Sequence, residues 1–259
     1  FSKVRVFDCF IFHNEIDLLK LRLDYLENIV DVFVIVEANL TFTNNIKEKY
    51  FAESIIKKLP NELRKKIRYV QLKPSDFPQK IKNDPWEMET FIRNSILLGL
   101  DDIKKYDFLW LSDIDEIPNK EKVYKLGRLS MYFSYYKINL LKNYFWRKSK
   151  AILGKHIINS TPQFIRMKKW QYTLPIYNGG WHFSFLMSKE QIREKVKSFA
   201  HTECDKEEFI SLENIEKAIK TKKDLFGRSD EDLTLKTNLS FLPEIIQSNL
   251  EFYKDLIEF

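Results

Sequence analysis

Four apolar segments alternate with helical segments in residues 1–118, and this alternation constrains the fold more than any other feature of the 259-residue chain. The apolar segments span residues 4–12, 32–36, 67–72 and 107–111. They are rich in Val, Ile and Phe, which is typical of buried strands. Helical patterns lie between them at 14–26, 48–59 and 86–100. Apolar strands separated by helices predict an α/β fold with a mostly parallel central sheet covered on both faces.

The second half of the chain, about 119–259, is richer in aromatic residues and has a different pattern. Further strands are predicted at 131–140, 143–147, 164–167 and 181–185. C-terminal helices are predicted at 189–199 and 206–220, followed by a polar-apolar stretch at 243–259. No internal repeat or low-complexity linker separates the halves, so we expect one continuous domain over 1–259.

Composition and charge argue against several classes of nucleotide-binding and nucleic-acid-binding protein. The chain has six glycines and no GxGxxG or GxxxxGK[ST] motif, which disfavours Rossmann and P-loop sites. Its net charge of +6 comes mainly from scattered lysine pairs, which are typical of solvated helix faces rather than of a nucleic-acid site. No apolar stretch is long enough to predict an integral membrane segment.

Polar residues follow several of the predicted strands at the point where each strand ends. They are Asn14, Glu15, Glu37, Asn39, Asp113 and Asp115. In an open parallel sheet, ligands bind beyond the carboxyl ends of the strands. The sequence therefore predicts that these side chains converge on one crevice.

The acidic motif Asp113-Ile114-Asp115 directly follows a strand, and its carboxylates are ligands that suit Mg²⁺ or Mn²⁺. A calcium loop would need an acidic ligand and a glycine where Ile117 and Pro118 stand, so that interpretation fails. An aspartyl-phosphate phosphohydrolase with Asp113 as nucleophile is an alternative, although its motif usually lies near the N-terminus. A non-catalytic carbohydrate-binding protein that uses the aromatic second half is another.

Several stretches, taken in order, resemble glycosyltransferase family 17. They are FDCFIFHNEIDLLKLRL (7–23), VDVFVIVEANLTFT (30–43), PWEMETFIRNSILLGL (85–100), LSDIDEIP (111–118), GGWHFSF (179–185) and SFAHTE (198–203). The resemblance fades after about Asp205. It implies a GT-A type glycosyltransferase fold, with a nucleotide-sugar-binding half at about 1–118 and an acceptor-side half at about 119–259.

The resemblance also implies a UDP-sugar donor, with UDP-GlcNAc as the expected one, a metal ion and inversion at the anomeric carbon. Asp113 and Asp115 match the positions that hold Mn²⁺ or Mg²⁺ on the donor diphosphate. The residues that match the uridine and ribose contacts are Asn14, Glu15, Glu37 and Asn39. The implied reaction moves a sugar onto a glycan hydroxyl, and the acceptor itself is left open.

Arg93, His182 and Trp181 each have a structural and a functional interpretation. Arg93 is spaced to pair with Glu89 on a helix, or it binds donor phosphate. His182, in a matched motif, is interpreted as a third metal or diphosphate contact rather than as a packed residue. Trp181 either packs in the core or stacks on a sugar.

An inverting transfer needs a carboxylate base within reach of the acceptor hydroxyl. Glu203, supported by His201, is the preferred candidate because it lies in the acceptor-side half. Glu116 is the second candidate, and its alternative role is to orient the acidic motif. The absence of an anchor and the composition, heavy in Lys, Ile, Asn and Phe, predict a microbial or viral enzyme that acts in the cytoplasm.

Overall fold

The protein is described by a computed structural model that covers residues 3–168, 174–198, 204–228 and 233–258. Within these ranges ten strands form one sheet. The strands are β1 (Val6–Phe12), β2 (Val32–Ala38), β3 (Ile67–Leu72), β4 (Phe108–Asp113), β5 (Glu116–Pro118), β6 (Gly127–Tyr135), β7 (Lys137–Leu141), β8 (Lys150–Leu153), β9 (Pro175–Ser184) and β10 (Thr234–Leu235).

Helices cover both faces of this sheet. They are α1 (Ile16–Leu26), α2 (Phe51–Ile56), α3 (Asn61–Lys65), α4 (Pro85–Asn94), α5 (Gly154–Ile158), α6 (Pro162–Met167), α7 (Lys189–Ser198), α8 (Glu207–Ile210), α9 (Leu212–Thr221) and α10 (Glu244–Gln247). None of the helices in the described part of the chain has the length and hydropathy needed to cross a bilayer.

The first half of the chain forms the parallel part of the sheet, in the order β4-β1-β2-β3. Alternate residues of β1 enter two cores: Phe10 packs on the α1 side with Leu19, and Cys9 packs on the α4 side with Met88. Strands β1 and β2 are buried along their whole length, which explains why they are apolar on both faces. The predicted α/β fold is confirmed.

The second half of the sheet is mixed rather than parallel. Strand β8 runs antiparallel to β4 and to β6, whereas β9 pairs in parallel with β6. The short strand β5 follows the acidic motif and pairs with β9, so that Glu116 lies opposite His182. This pairing attaches the loop after β4 to the second half of the chain.

Several predicted elements of the second half differ in the structure. The predicted strand at 131–140 is divided between β6 and β7 at Tyr136, which has a left-handed backbone (φ 66°). The predicted strand at 143–147 is wrong: apart from an isolated bridge at Trp146, these residues are irregular. The predicted strand at 164–167 is also wrong, because Thr161 caps helix α6 by accepting from the Phe164 amide.

Several helix predictions are correct in position but too long. The pattern at 206–220 is two helices, since Ser211 ends α8 and its hydroxyl caps α9. The described part of the stretch at 243–259, which ends at 258, contains only the short helix α10 and a 3-10 turn at Lys254–Leu256. Isolated amphipathic patterns do not fix helix length, because tertiary packing supplies most of the stability of short helices.

Candidate active site at the end of strand β4

A buried arginine holds the acidic loop that follows β4. Arg22, on α1, forms a bidentate ion pair with Asp8 of β1 at 2.8 and 2.7 Å, and neither side chain is exposed. The guanidinium also donates to Ser112 Oγ at 2.6 Å. Its remaining donors reach the main-chain oxygens of Asp113 (2.6 Å), Ile114 (3.2 Å) and Glu116 (3.2 Å). Because the guanidinium is planar and always charged, these bonds set the path of the loop.

The Asp113 carboxylate lies between two arginines. Its Oδ1 accepts from Arg93 Nη2 at 2.8 Å, and its Oδ2 accepts from Arg166 Nη2 at 2.6 Å. Arg93 also donates to Glu89 at 2.7 Å and to Gln163 at 2.8 Å. Burial raises the pKa of Asp113 to about 6, although both arginines oppose this shift. Arg93 therefore combines the predicted helical ion pair with a contact to the acidic motif.

Glu116 is enclosed by donors and is 1% exposed. Arg166 donates to both of its oxygens, at 2.6 and 2.8 Å. Trp146 Nε1 and Ser149 Oγ donate at 2.5 Å each, and the Asp113 amide donates at 3.0 Å. Burial opposes ionisation of Glu116, but Arg166 holds its pKa well below the usual value. A saturated carboxylate of low pKa is a poor base, so these contacts favour the alternative role of Glu116, which is to orient the acidic motif.

Asp115 is linked to the end of β1 through a lysine of the C-terminal half. Lys195 Nζ, from α7, lies 3.2 Å from Asp115 Oδ2 and 3.2 Å from Glu15 Oε1. The other oxygen of Glu15 accepts from the amides of His13 and Asn14. Burial would raise the pKa of Asp115, but Lys195 holds it below the usual value. The predicted convergence of Glu15 with the acidic motif is thus present in the structure.

His182 faces Asp115 from strand β9. Its Nε2 lies 3.7 Å from Asp115 Oδ1, which is too long for a hydrogen bond. The imidazole is stacked on Phe133 (ring centroids 4.5 Å apart, 18° between planes) and lies 4.5 Å from the Trp146 ring. Its Nδ1 is buried and has no hydrogen-bond partner in the part of the chain that the structure describes. Stacking therefore sets the orientation of this ring.

Glu37 has a structural role rather than the predicted contact with a nucleotide. It is fully buried, and it accepts from Lys47 Nζ at 2.8 Å and from Tyr69 Oη at 2.6 Å. The amides of Phe51 and Ala52, in the first turn of α2, donate to it at 2.7 and 2.9 Å. Since all these donors surround one carboxylate, Glu37 anchors helix α2 to the end of β2, and its oxygens are not available to a nucleotide.

Asn39 and Asn14 lie at the same edge of the sheet and are half-buried. Asn39 lines a cavity of about 440 Å³, together with Tyr50 and Ser54. Its Oδ1 is buried without a hydrogen-bond partner among the described residues.

The structure supports the packing interpretation of Trp181 and leaves the preferred base untested. Trp181 is 4% exposed, and its Nε1 donates to the Phe241 carbonyl at 2.7 Å. Glu203 and His201 lie outside the described residues.

Sequence reasoning missed Arg22, Arg166 and Lys195, which together hold the acidic loop. Each is a basic residue within a helix, on the face that packs against the sheet or loop, and each is at most 7% exposed. Long basic side chains are almost never fully buried unless they are paired. A basic residue on an apolar helix face was therefore the available signal, but it does not identify the partner.

The candidate metal ligands fit a cation only in part. Among the described residues, no group of three or more His, Cys, Asp and Glu side chains is arranged to hold a metal ion. Asp115 and His182 do face each other across 3.7 Å without a hydrogen bond, and metal–ligand distances of about 2.0–2.2 Å can span that gap. Asp113, in contrast, directs both oxygens to arginines.

A family model described as "Glycosyltransferase family 17" matches residues 1–252. The chain belongs to glycosyltransferase family 17. This confirms the resemblance found in the motifs, and the site described above is therefore the candidate active site of a family 17 member.

Curated relatives of this family 17 chain include mammalian proteins named beta-1,4-mannosyl-glycoprotein 4-beta-N-acetylglucosaminyltransferase. The rat protein is 24% identical over 230 residues, which cover 75% of this chain and 42% of the rat protein. The human protein is also 24% identical over 230 residues, with 75% and 43% covered. The chain thus spans less than half the length of these relatives. Because they are mammalian, they give no support to a microbial or viral source.

Proposed function

We propose that this chain is a single-domain enzyme of GT-A type that transfers GlcNAc from UDP-GlcNAc to a glycan hydroxyl with inversion. The observation that carries the proposal is the convergence of Glu15, Asp115, His182 and two arginine-bound carboxylates at one sheet edge in a family 17 chain. The names of the relatives support GlcNAc as the transferred sugar.

The nucleotide would bind beyond β1 and β2. The cavity lined by Asn39 is large enough for a nucleobase or ribose, and the Asn39 side-chain amide would contact either. Asn14 lies at the same edge and would provide a second amide. Glu15 would act indirectly, because its carboxylate is bound to Lys195 and to two amides.

Asp115 and His182 would hold the metal ion. A carboxylate with an imidazole suits Mn²⁺ better than Mg²⁺, which strongly prefers oxygen ligands. The ion, when bound, would offset the charge that develops on the departing diphosphate. Asp113 would serve differently, by fixing two arginines at the crevice.

Arg93 and Arg166 would supply positive charge near the diphosphate. Both are buried, and Asp113 and Glu116 hold their guanidinium groups in place. Guanidinium groups that are positioned in advance stabilise phosphate charge without reorganising during the reaction. Arg93 Nε is buried and has no partner within the described ranges.

The acceptor hydroxyl would lose its proton to a carboxylate as the sugar is displaced in one step, without a covalent intermediate. Glu203 is the remaining candidate for this base. Glu116 is unsuited to the role, since Arg166, Trp146 and Ser149 occupy its oxygens.

The test is release of UDP from UDP-GlcNAc by purified protein with Mn²⁺, with and without glycan acceptors. Asp115→Asn should abolish turnover, whereas Asp17→Asn, which changes a 92% exposed carboxylate, should leave it unchanged. If the wild-type protein neither binds UDP nor hydrolyses any UDP-sugar, the proposal is wrong. Release of phosphate from phosphomonoesters would indicate the phosphohydrolase alternative, and sugar binding without turnover would indicate the carbohydrate-binding alternative.

A further inference from the structure

Two basic side chains beside the acidic loop lack a partner. Lys150, the first residue of β8, is 3% exposed, and no described residue forms a hydrogen bond or ion pair with its ammonium group. Arg128, on β6, has a buried Nε without a hydrogen-bond partner and no ion pair within the described ranges. Buried basic residues are almost always paired, so the buried Lys150, with the half-buried Arg128 beside it, calls for an explanation.

The sheet register brings these two side chains together. Arg128 and Lys150 are directly opposite each other in the antiparallel pair of β6 and β8, so both project from the same face. Opposite residues in such a pair have Cβ atoms about 4.5–5.5 Å apart, and like charges at that position are destabilising. The pairing is therefore unfavourable unless an anion lies between or beside the two groups.

The surroundings of Lys150 do not supply that anion. The nearby carboxylate of Glu116 is already occupied by Arg166, Trp146 and Ser149. Burial, followed by repulsion from Arg166, Arg128 and Lys148, lowers the pKa of Lys150 to about 8. Lysine nevertheless stays mostly protonated at neutral pH.

The position of the pair links it to the active site. Lys150 lies opposite Leu111 of β4, two residues before Asp113, and directly follows Ser149, which donates to Glu116. Arg166, on α6, binds Asp113 and Glu116 close by. An anion at Lys150 and Arg128 would thus lie next to the acidic loop, on the side where the second half of the chain joins β4.

We propose that Lys150 and Arg128 form an oxyanion-binding site that recognises a phosphate or carboxylate group of a substrate. Ammonium and guanidinium groups bind such oxygens through short, charge-assisted hydrogen bonds. The oxyanion is either the diphosphate of the donor or an acidic group on the acceptor. The site itself stands independently of the proposed GlcNAc transfer.

The experiment measures binding of inorganic pyrophosphate, glucuronic acid and UDP by isothermal titration calorimetry at pH 7. The variants are Lys150→Met and Arg128→Gln, and the control is Lys155→Met, an exposed lysine just beyond β8. We expect pyrophosphate or glucuronate to bind the wild type, and both variants to weaken that binding at least about tenfold. The control should stay within about twofold of the wild type.

The pattern of losses identifies the source of the oxyanion. Parallel loss of pyrophosphate and UDP binding assigns the site to the donor diphosphate, whereas loss of glucuronate binding with unchanged UDP binding assigns it to an acidic acceptor. If neither anion binds the wild type, or if Lys150→Met binds as the wild type does, the site does not exist. UDP-sugar turnover is measured separately, so its absence refutes the transfer reaction and not the anion site.

A melting curve tests whether Lys150 and Arg128 have only a structural role. Because Lys150→Met removes the repulsion between two facing basic side chains, it should raise the melting temperature of the ligand-free protein by roughly a few degrees. Arg128→Gln should have the same sign of effect. A lower melting temperature in both variants would mean that the two residues stabilise the fold, and would overturn the proposal.

Discussion

Removal of the buried Arg22 guanidinium tests whether the ion pair between Arg22 and Asp8 organises the acidic loop. Arg22→Met leaves the Asp8 carboxylate, which is 0% exposed, without a counter-charge. Breaking a buried ion pair in this way costs about 3–5 kcal/mol. Since a domain is stable by only about 5–15 kcal/mol, the single variant should be severely destabilised.

The double variant Asp8→Asn with Arg22→Met separates charge from loop geometry. It removes both charges, so the penalty for an unpaired carboxylate disappears and about 2–3 kcal/mol of stability should return. The three main-chain oxygens of the acidic loop would still lack their donor. A displacement of about 1 Å near the reacting atoms can cost about 100-fold in rate, so we expect kcat/KM to stay at least that far below wild type.

Urea unfolding followed by tryptophan fluorescence measures the stability, and UDP release from UDP-GlcNAc measures the activity. Arg64→Met, at an exposed arginine, is the control and should change stability by less than about 0.5 kcal/mol. Wild-type kcat/KM in the double variant would refute the positioning role of Arg22. A double variant no more stable than Arg22→Met would refute the charge argument.

Three further predictions concern other buried charges. Lys195→Met should lower the free energy of unfolding by about 3–5 kcal/mol, whereas Lys197→Met, at a 40% exposed side chain, should change it little. If Asp115 is a metal ligand, Mn²⁺ should restore part of the stability that Lys195→Met loses in urea unfolding. Equal Mn²⁺ effects on the variant and the wild type would argue against that role of Asp115. Burial opposes ionisation of Asp224, but Arg228 and Lys142 lower its pKa from 3.8 to about 2. The ionised Asp224 should therefore contribute roughly 2 kcal/mol to the stability of the fold above pH 4, and this contribution should be lost between pH 4 and 2. Acid titration followed by circular dichroism should show the loss. Glu37→Gln should lower stability by about 3–5 kcal/mol because Lys47 is left buried without a counter-charge, and a urea midpoint equal to wild type would contradict this.

The parallel half of the fold and its ligand edge were predictable from local patterns. Strands such as β1 and β2 are buried on both faces, so nearly every residue in them is apolar and the segment stands out in the sequence. The second half was harder, since the aromatic residues around Trp146 pack as an irregular segment rather than as a strand. Aromatic content is a weak guide to strands where side chains serve tertiary contacts.

The sequence by itself determined the strand and helix alternation, the acidic motif at the end of β4 and the family. These features depend on short-range periodicity and on motifs in order along the chain, so they need no knowledge of which elements meet. Tertiary structure alone decided which cations hold the acidic loop. Arg22 is 91 residues from Asp113, whose main-chain oxygen it binds, Arg166 is 53 residues from the Asp113 carboxylate, and Lys195 is 80 residues from Asp115. Such pairs form because the topology brings α1, α6 and α7 to one edge of the sheet, and an ion pair needs contact in space rather than closeness along the chain.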